Sequence, residues 1–144
     1  MILHAGFIAQ RVGGHWAGVL IEGPSGSGKS DLALRALDHG FRLVADDRVT
    51  VWASGGDAYG RAPPVLASAL EVRGLDVLAV AAIPMARIAL VARPGEPDRM
   101  PDSAFVEIAG IQVRTVTLDF RHISAPVKLS RALTLFDATG NRRI

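Results

Sequence analysis

Residues 23–30 decide how this chain is interpreted, and they read Gly23-Pro24-Ser25-Gly26-Ser27-Gly28-Lys29-Ser30. This stretch matches the pattern G-x-x-x-x-G-K-[ST] in full. It follows an apolar segment at 16–22 and precedes DLALRALDHG at 31–40, whose leucines recur at helical spacing. A strand, a glycine-rich turn and a helix in this order form a phosphate-binding loop, or P-loop. The sequence therefore predicts a nucleoside triphosphate site at residues 23–30.

The residue types in this stretch suit that chemistry. Glycines let the backbone wrap closely around a phosphate, so that its N–H groups point inward. The helix that begins near Lys29 adds the positive end of its dipole to the same place. Lys29 can neutralise the β- and γ-phosphate oxygens, and the Ser30 hydroxyl can bind Mg²⁺. The alternative is a glycine-rich turn that joins a strand to a helix and binds nothing.

Two acidic residues follow the predicted helix. The apolar run at 43–45 ends in Asp46 and Asp47, one helix-length after Lys29, so they can return beside the predicted phosphate site. Phosphoryl transfer needs a carboxylate that holds the metal or takes the proton of the attacking hydroxyl. Adjacent strand residues point to opposite faces, so only one of the two needs to face the phosphates. The residues leave open which one does, and also allow an ordinary polar turn.

Composition limits the protein class. The 144 residues suit one α/β domain over 1–144, and a hydrophobic fraction of 49% rules out disorder. The absence of cysteine excludes disulfides, thiolate zinc sites and cysteine nucleophiles. A net charge of +2 with scattered arginines gives no basic stripe, and no apolar run is long enough to span a bilayer. We therefore expect a soluble cytoplasmic protein without a nucleic acid or membrane partner.

The apolar patterns predict a mixed sheet with helices. A hairpin is expected where Gly13-Gly14 separates the first two strands, and a surface loop over the proline-rich segment 92–102. Strands are predicted at 2–9, 16–22, 41–47, 48–53, about 76–81, about 87–92 and within 104–120. Helices are predicted from near Lys29 to Gly40, over 64–70, and from after Ser124 to about Ala138.

Several other enzyme classes are excluded by missing motifs. No G-x-S-x-G elbow is present, so a hydrolase triad is not supported. The protein-kinase strings H-R-D and D-F-G are absent, as are the N-K-x-D string of GTPases and the signature string of transporter ATPases. The four histidines do not occur at metal-ligand spacing. Any kinase here must therefore be of the P-loop kind.

Three stretches together resemble the catalytic domain of HPr kinase/phosphorylase, namely GPSGSGKSDLALRALDHGFRLVADDRV at 23–49, LEVRGLDVL at 70–78 and PDRM at 97–100. The resemblance implies a phosphoenolpyruvate-carboxykinase-like nucleotide-binding core. It implies an enzyme that uses ATP and Mg²⁺ to phosphorylate a serine of the phosphocarrier protein HPr, and removes that phosphate by phosphorolysis. It also implies a hexamer, and a short form without the family's N-terminal domain, because His4 matches the histidine that opens the catalytic domain.

The resemblance also implies roles for individual residues. Ser30 and Glu71 would hold Mg²⁺, and Asp46 or Asp47 would be the base for serine phosphorylation and the acid for the reverse reaction. His4 and Lys29 would be active-site groups, and Arg99 would be a catalytic arginine. The signature segment of the family would comprise Glu71, Val72, Arg73 and Gly74. Without the resemblance, Glu71 and Arg73 would be interpreted as a surface pair at a helix end, and Arg99 as an ordinary loop residue.

The stretch P-V-K-x-G-R, which the family uses for dephosphorylation, has two possible positions in this chain. Counting forward from Gly110 places it on 119–124, whereas the more similar string lies at 126–131. Two alternative functions also remain open. One is a small-molecule P-loop kinase, although a chain of 144 residues leaves little length for a lid and an acceptor pocket. The other is a nucleotide-binding regulatory module that catalyses nothing.

Overall fold

The computed structural model describes residues 1–64, 69–72 and 74–136. Two helices occur in these residues, α1 (Lys29–Ala36) and α2 (Ala125–Leu135), and a short 3₁₀ turn at Leu37–His39 follows α1. The strands of the same residues are β1 (Ile2–His4), β2 (Gly6–Val12), β3 (His15–Ile21), β4 (Arg42–Ala45), β5 (Arg48–Ser54), β6 (Asp57–Arg61), β7 (Ala69–Val72), β8 (Asp76–Ala79), β9 (Ala86–Pro94), β10 (Ala104–Ile108) and β11 (Ile111–Leu118). This α/β composition confirms the predicted fold class.

The first hairpin forms as predicted, with one difference. Strands β2 and β3 pair antiparallel from Gly6 opposite Ile21 to Val12 opposite His15, and the two glycines make the turn. The strand predicted at 2–9 is wrong in its extent, because the chain divides at Ala5 into β1 and β2. Strand β1 leaves β2 to pair with β5, and the Ala5 amide donates a hydrogen bond to the Asp47 carbonyl at 3.1 Å.

Strand direction brings several strand ends to one edge of the sheet. Within the described residues nine strands form a mixed sheet in the order β1-β5-β6-β9-β3-β2-β4, with β11 paired to β9 and β10 to β11. Strands β3 and β4 are each antiparallel to β2, β9 is parallel to β3, and β11 is parallel to β9. The carboxyl ends of β3, β4, β9 and β11 therefore meet at the same edge, which we call the carboxyl edge.

The core lies on both faces of the sheet. Successive strand residues alternate between faces, so that Ile8 and Phe7 belong to different buried clusters. On one face Ile8 packs with Leu32 of α1 and Leu129 of α2, each of them fully buried. On the other face Phe7 packs with Val49 of β5 and with other inward residues of the curled sheet. Both helices are thus anchored to the same face of the sheet.

The remaining predicted elements are largely confirmed. The 104–120 region contains β10 and β11, joined by a turn at Ala109 and Gly110, and α2 begins with Pro126 in its first turn. The helix predicted over 64–70 is wrong at its end, because Ala69–Val72 pairs with β8 as a strand. Residues 65–68 of that helix, Arg73, and the predicted end of the last helix lie outside the described residues. In the part of the chain that is described, neither helix has the length and apolar character needed to cross a membrane.

Replacing Gly18 of β3 by alanine tests how tightly this sheet packs. A Cβ at Gly18 would lie 2.4 Å from two ring carbons of Phe7 and 2.7 Å from the Arg87 carbonyl oxygen. Neither the buried ring nor the backbone carbonyl can move freely, so we expect Gly18→Ala to lower the free energy of unfolding by about 1–3 kcal/mol in urea denaturation.

Gly6→Ala on the paired strand is the matched control. A Cβ there would meet only the side chain of Ile21, at 3.7 Å or more, which is ordinary van der Waals contact. Its free energy of unfolding should stay within about 0.5 kcal/mol of the unmodified protein. Equal stability of the two variants would contradict the packing described here.

Candidate functional site

The glycine-rich loop (residues 23–28) leaves β3 at the carboxyl edge and leads directly into α1. Gly28 has a φ of 99°, a left-handed conformation that a residue with a Cβ rarely adopts, and its carbonyl accepts the hydrogen bond of the Leu32 amide that opens the helix. At Gly23 a Cβ would lie 2.6 Å from Ser27 Oγ and 2.9 Å from Pro94 Cγ. Both positions therefore require glycine for the loop to keep this shape.

Two polar side chains at this loop have no charged partner, and one of them has no partner at all among the described residues. The hydroxyl oxygen of Ser27 is buried and has no hydrogen-bond partner among the described residues. The ammonium group of Lys29 donates to the carbonyls of Gly23, at 2.5 Å, and Pro24, at 3.3 Å. A buried hydroxyl without a partner is unfavourable unless something else binds it. An anion that accepts from both side chains would satisfy the hydroxyl and draw the ammonium group away from neutral carbonyls, so the donor set fits a phosphate chain.

Asp46 is the carboxylate that the fold brings to this loop. It follows β4, whose carboxyl end lies two strands away from that of β3. The hydroxyl of Ser30 donates to Asp46 Oδ1 at 2.9 Å, and the backbone amide of Glu71 donates to Asp46 Oδ2 at 3.0 Å. Both carboxylate oxygens are thereby oriented in a half-buried position. Of the two neighbouring aspartates, Asp46 is the one that contacts the start of α1.

Asp47 turns away from this arrangement. Its φ of 69° is left-handed, its side chain is exposed, and its carbonyl accepts the hydrogen bond from Ala5. His4 precedes Ala5 and is exposed at the end of β1, opposite Arg48. The structure thus places His4 beside the Asp47 backbone. No hydrogen bond joins it to the glycine-rich loop within the described residues.

Glu71 and Arg99 approach the site in different ways. Glu71 lies on β7, where its amide contacts Asp46 and its side chain is exposed. Val72 and Gly74 of the same segment are described, whereas Arg73 is outside the described residues. Arg99 lies on the exposed loop after β9, where it lines a cleft of about 360 Å³ between that loop, β11 and α2. It is at the carboxyl edge without a recorded contact to the glycine-rich loop.

The described residues contain no cluster of three histidine, aspartate or glutamate side chains that could enclose a metal ion. The oxygen atoms beside the glycine-rich loop are the Ser30 hydroxyl and the Asp46 carboxylate, with the Glu71 side chain on the adjoining strand. Mg²⁺ is typically bound through one or two protein oxygens, substrate phosphates and waters. This sparse oxygen set fits Mg²⁺ better than a metal that needs a complete protein cage.

Two arginines that no sequence pattern predicts join distant segments to this site. Arg121, on the loop between β11 and α2, donates to the Gly26 carbonyl at 2.5 Å. Arg35 of α1 donates to the carbonyls of Phe120 and, at 3.1 Å, His122 on that same loop. No local pattern marks these contacts, because their partners lie far apart in the chain. The one available signal was the placement of a family stretch on 119–124, which forms this loop, whereas 126–131 lies within α2.

Comparisons with known proteins place the chain among relatives of one family. Residues 9–90 match the family described as HPr Serine kinase C-terminal domain. Curated HPr kinase/phosphorylases of Burkholderia cenocepacia and Paraburkholderia phymatum are each 41% identical over 115 residues, which cover 70% of this chain and 36% of theirs. The chain therefore spans little more than a third of the length of these relatives.

A solved structure shares the fold. The Hpr(Ser) kinase/phosphatase from Coxiella burnetii matches with a TM-score of 0.76 over 92% of this chain and 93% of that chain, at 23% identity. This likeness shows the fold alone. The family match contains the glycine-rich loop, Asp46 and Glu71, while His4, Arg99 and Arg121 lie beyond it.

Removing the Arg35 side chain tests whether α1 is fastened to the loop after β11. Arg35→Ala removes donors from two backbone carbonyls, and hydrogen bonds from charged groups contribute about 1.5–3 kcal/mol each before solvent exposure reduces them. We expect the free energy of unfolding to fall by about 1–3 kcal/mol in chemical denaturation.

Asp31→Ala separates this effect from the ion pair on the same helix. Asp31 accepts from Arg35 at 2.9 Å but is largely exposed, and such i,i+4 pairs are worth about 0.3–0.5 kcal/mol. The Asp31 variant should therefore lose less than about 0.5 kcal/mol. A loss as large as that of Arg35→Ala would mean that the ion pair, and not the link to the loop, carries the stability.

Proposed function

The chain belongs to the HPr serine kinase C-terminal domain family, and from this premise we propose that it is an ATP- and Mg²⁺-dependent kinase that phosphorylates a serine of HPr or of a similar phosphocarrier protein. The observation that carries the proposal is Asp46, whose two oxygens accept hydrogen bonds from Ser30 and Glu71 at the edge of the glycine-rich loop. A carboxylate held at this place is what transfer to a hydroxyl requires. The cytoplasm, where ATP and phosphocarriers meet, is the proposed location.

We propose that residues 23–30 act as a P-loop for ATP, within a core of the phosphoenolpyruvate-carboxykinase type. Backbone amides of the loop and the N-terminus of α1 would face the phosphates, where the helix dipole favours negative charge. The Lys29 ammonium group would leave the carbonyls of Gly23 and Pro24 for the β- and γ-phosphate oxygens. The buried Ser27 hydroxyl would gain the partner that it lacks among the described residues.

Ser30 and Glu71 are the proposed Mg²⁺-binding residues. When bound, Mg²⁺ would neutralise the negative charge that develops on the phosphate oxygens. Ser30 offers its hydroxyl oxygen from the first turn of α1, and its hydrogen bond to Asp46 fixes that side chain towards the carboxylate. Glu71 is tied to the same carboxylate through its amide, which keeps its exposed side chain near the site. We also propose that His4 and Arg99 are active-site groups. The proposed assembly of the chain is a hexamer.

Asp46 is the proposed general base. The substrate serine oxygen attacks the γ-phosphorus of ATP. The bond between the γ-phosphorus and the bridging oxygen then breaks, so that ADP leaves, and the serine proton passes to the carboxylate of Asp46. Two hydrogen bonds hold this carboxylate still, so that little reorganisation accompanies proton transfer. In the reverse direction the protonated Asp46 would return the proton to serine while inorganic phosphate accepts the phosphoryl group as pyrophosphate.

Asp46→Asn tests this role directly. Asparagine keeps the size of the side chain but cannot accept the serine proton, and general base catalysis contributes about 10²–10⁴-fold to rate. With radiolabelled ATP, Mg²⁺ and purified HPr, we expect transfer of label to serine to fall at least about a hundredfold while ATP binding is retained.

Asp47→Asn is the matched control, because Asp47 is the exposed neighbour, whereas the Ser30 hydroxyl donates to Asp46. It should retain transfer within about threefold, since the base is intact. Loss of transfer in the Asp47 variant with normal rates in the Asp46 variant would refute the assignment. Label found only on small metabolites would favour a small-molecule kinase, and ATP binding without any transfer would favour a regulatory module. Inorganic phosphate added to the labelled carrier tests the reverse reaction.

Ser30→Ala tests the metal site. Removing the hydroxyl deletes one proposed ligand of Mg²⁺, so ATP should bind at least about tenfold more weakly when Mg²⁺ is present and almost unchanged when EDTA replaces it. Ser54→Ala, at the exposed end of β5 that lies away from Asp46, is the control and should leave both affinities unchanged. Isothermal titration calorimetry measures all four affinities. Equal weakening with and without Mg²⁺ would contradict the role of Ser30 as a ligand.

A further inference from the structure

The side chain of Arg121 lies across the glycine-rich loop. Its guanidinium group donates to the Gly26 carbonyl, and a Cβ placed on Gly28 would lie 3.8 Å from Arg121 Cγ. The aliphatic stem thus runs past Gly28, and the charged end reaches the middle of the loop. Arg121 is exposed to solvent, so its side chain is accessible to a ligand.

The backbone that carries Arg121 is firmly held. Its amide donates to Asp119 Oδ1 at 3.0 Å, and the next amide, that of His122, donates to the Asp119 carbonyl at 3.1 Å. Phe120 is fully buried in the core, and Arg35 binds the carbonyls on both sides of Arg121. The guanidinium group can therefore turn about its own side-chain bonds while its attachment point stays fixed beside the loop.

No carboxylate of the described residues forms an ion pair with Arg121. Among the described residues, ion pairs join Arg35 to Asp31 and Arg93 to Glu22, and none involves Arg121. Its recorded side-chain acceptor is a neutral carbonyl, as is also true of Lys29. A guanidinium group carries five N–H donors in a planar fork that matches phosphate geometry. A phosphate oxygen carries a negative charge, whereas the Gly26 carbonyl offers only a dipole, so a phosphate would compete well against Gly26 for the guanidinium group.

We propose that Arg121 is a second phosphate-binding cation of this site, which turns from the Gly26 carbonyl to the phosphate oxygens of a bound triphosphate. This inference rests on the proposed function, because it concerns the same nucleotide. It gives the loop after β11 a part in phosphate binding, in addition to the parts of the glycine-rich loop and Lys29. Arg35 is then a positioning residue, which acts by holding the backbone of Arg121.

A purely structural role for Arg121 makes a different prediction. If Arg121 only braced the loop through Gly26, a neutral hydrogen-bond donor at position 121 would serve the same purpose. Arg121→Gln keeps an amide donor and removes the charge, whereas Arg121→Ala removes both. Loss of a contact with the phosphates would weaken the binding of inorganic tripolyphosphate as much as the binding of ATP. Loss of a contact with the adenine ring would weaken the binding of ATP alone.

The experiment measures ATP and tripolyphosphate binding by isothermal titration calorimetry, for the unmodified chain and for the Arg121→Ala, Arg121→Gln and Arg42→Ala variants. Arg42 is an exposed arginine at the opposite end of β4 from Asp46, so its removal is a control for the loss of one positive charge. We expect both Arg121 variants to bind both ligands at least about tenfold more weakly, and Arg42→Ala to bind as the unmodified chain does. Thermal unfolding of each variant without ligand verifies that the fold is retained.

Three results would overturn the inference. They are unchanged affinity in Arg121→Ala, full recovery of affinity in Arg121→Gln, and a loss that affects ATP but not tripolyphosphate. Failure of the unmodified chain to bind ATP would be a different outcome, since it would refute the proposed function itself. Binding by the unmodified chain that Arg121→Ala leaves intact would refute only the role of Arg121.

Discussion

The shared direction of four strands is the constraint on which the rest of this structure depends. Because β3, β4, β9 and β11 run the same way, the segments that follow them all emerge at the carboxyl edge. Ligands of open α/β sheets bind outside the carboxyl ends of such strands. Asp46, Arg99 and Arg121 are far apart in the chain, yet each follows one of these strands. If any one of these strands ran in the opposite direction, the residues that follow it would emerge at the opposite edge of the sheet.

Local sequence pattern was sufficient for those parts of the site that depend on short-range physics. The glycines of the loop, Lys29 and Ser30 lie within one strand–turn–helix unit, so their positions follow from helix geometry and from left-handed backbone at Gly28. The placement of one aspartate near Ser30 followed from chain length, because α1 and the 3₁₀ turn return the chain to β4 beside the loop. The choice of Asp46 over Asp47 did not follow. It depends on the left-handed turn at Asp47, whose carbonyl accepts the hydrogen bond of the Ala5 amide.

The contacts that sequence could not predict are those made by long side chains between distant segments. Arg35 and Arg121 resemble any exposed arginine in the sequence, and only the parallel pairing of β11 with β9 brings residues 119–124 to the glycine-rich loop. Glu71 shows a related difficulty. The local sequence predicts a helix end for its segment, because apolar residues after two prolines fit a short helix, whereas Ala69–Val72 pairs with β8. Tertiary pairing overrides local propensity in such short segments.

The charges at the carboxyl edge are arranged so that they do not cancel one another. Lys29 and Arg121 donate to carbonyls of the glycine-rich loop, and Asp46 accepts from a hydroxyl and an amide, although opposite charges stand in one small region. An ion pair between Asp46 and either cation would have to break before a phosphate could bind, and would reduce the affinity by the strength of that pair. Neutral partners hold the side chains in place at a smaller energetic cost. In Asp46 each of the two carboxylate oxygens accepts such a neutral donor, the Ser30 hydroxyl on one and the Glu71 amide on the other.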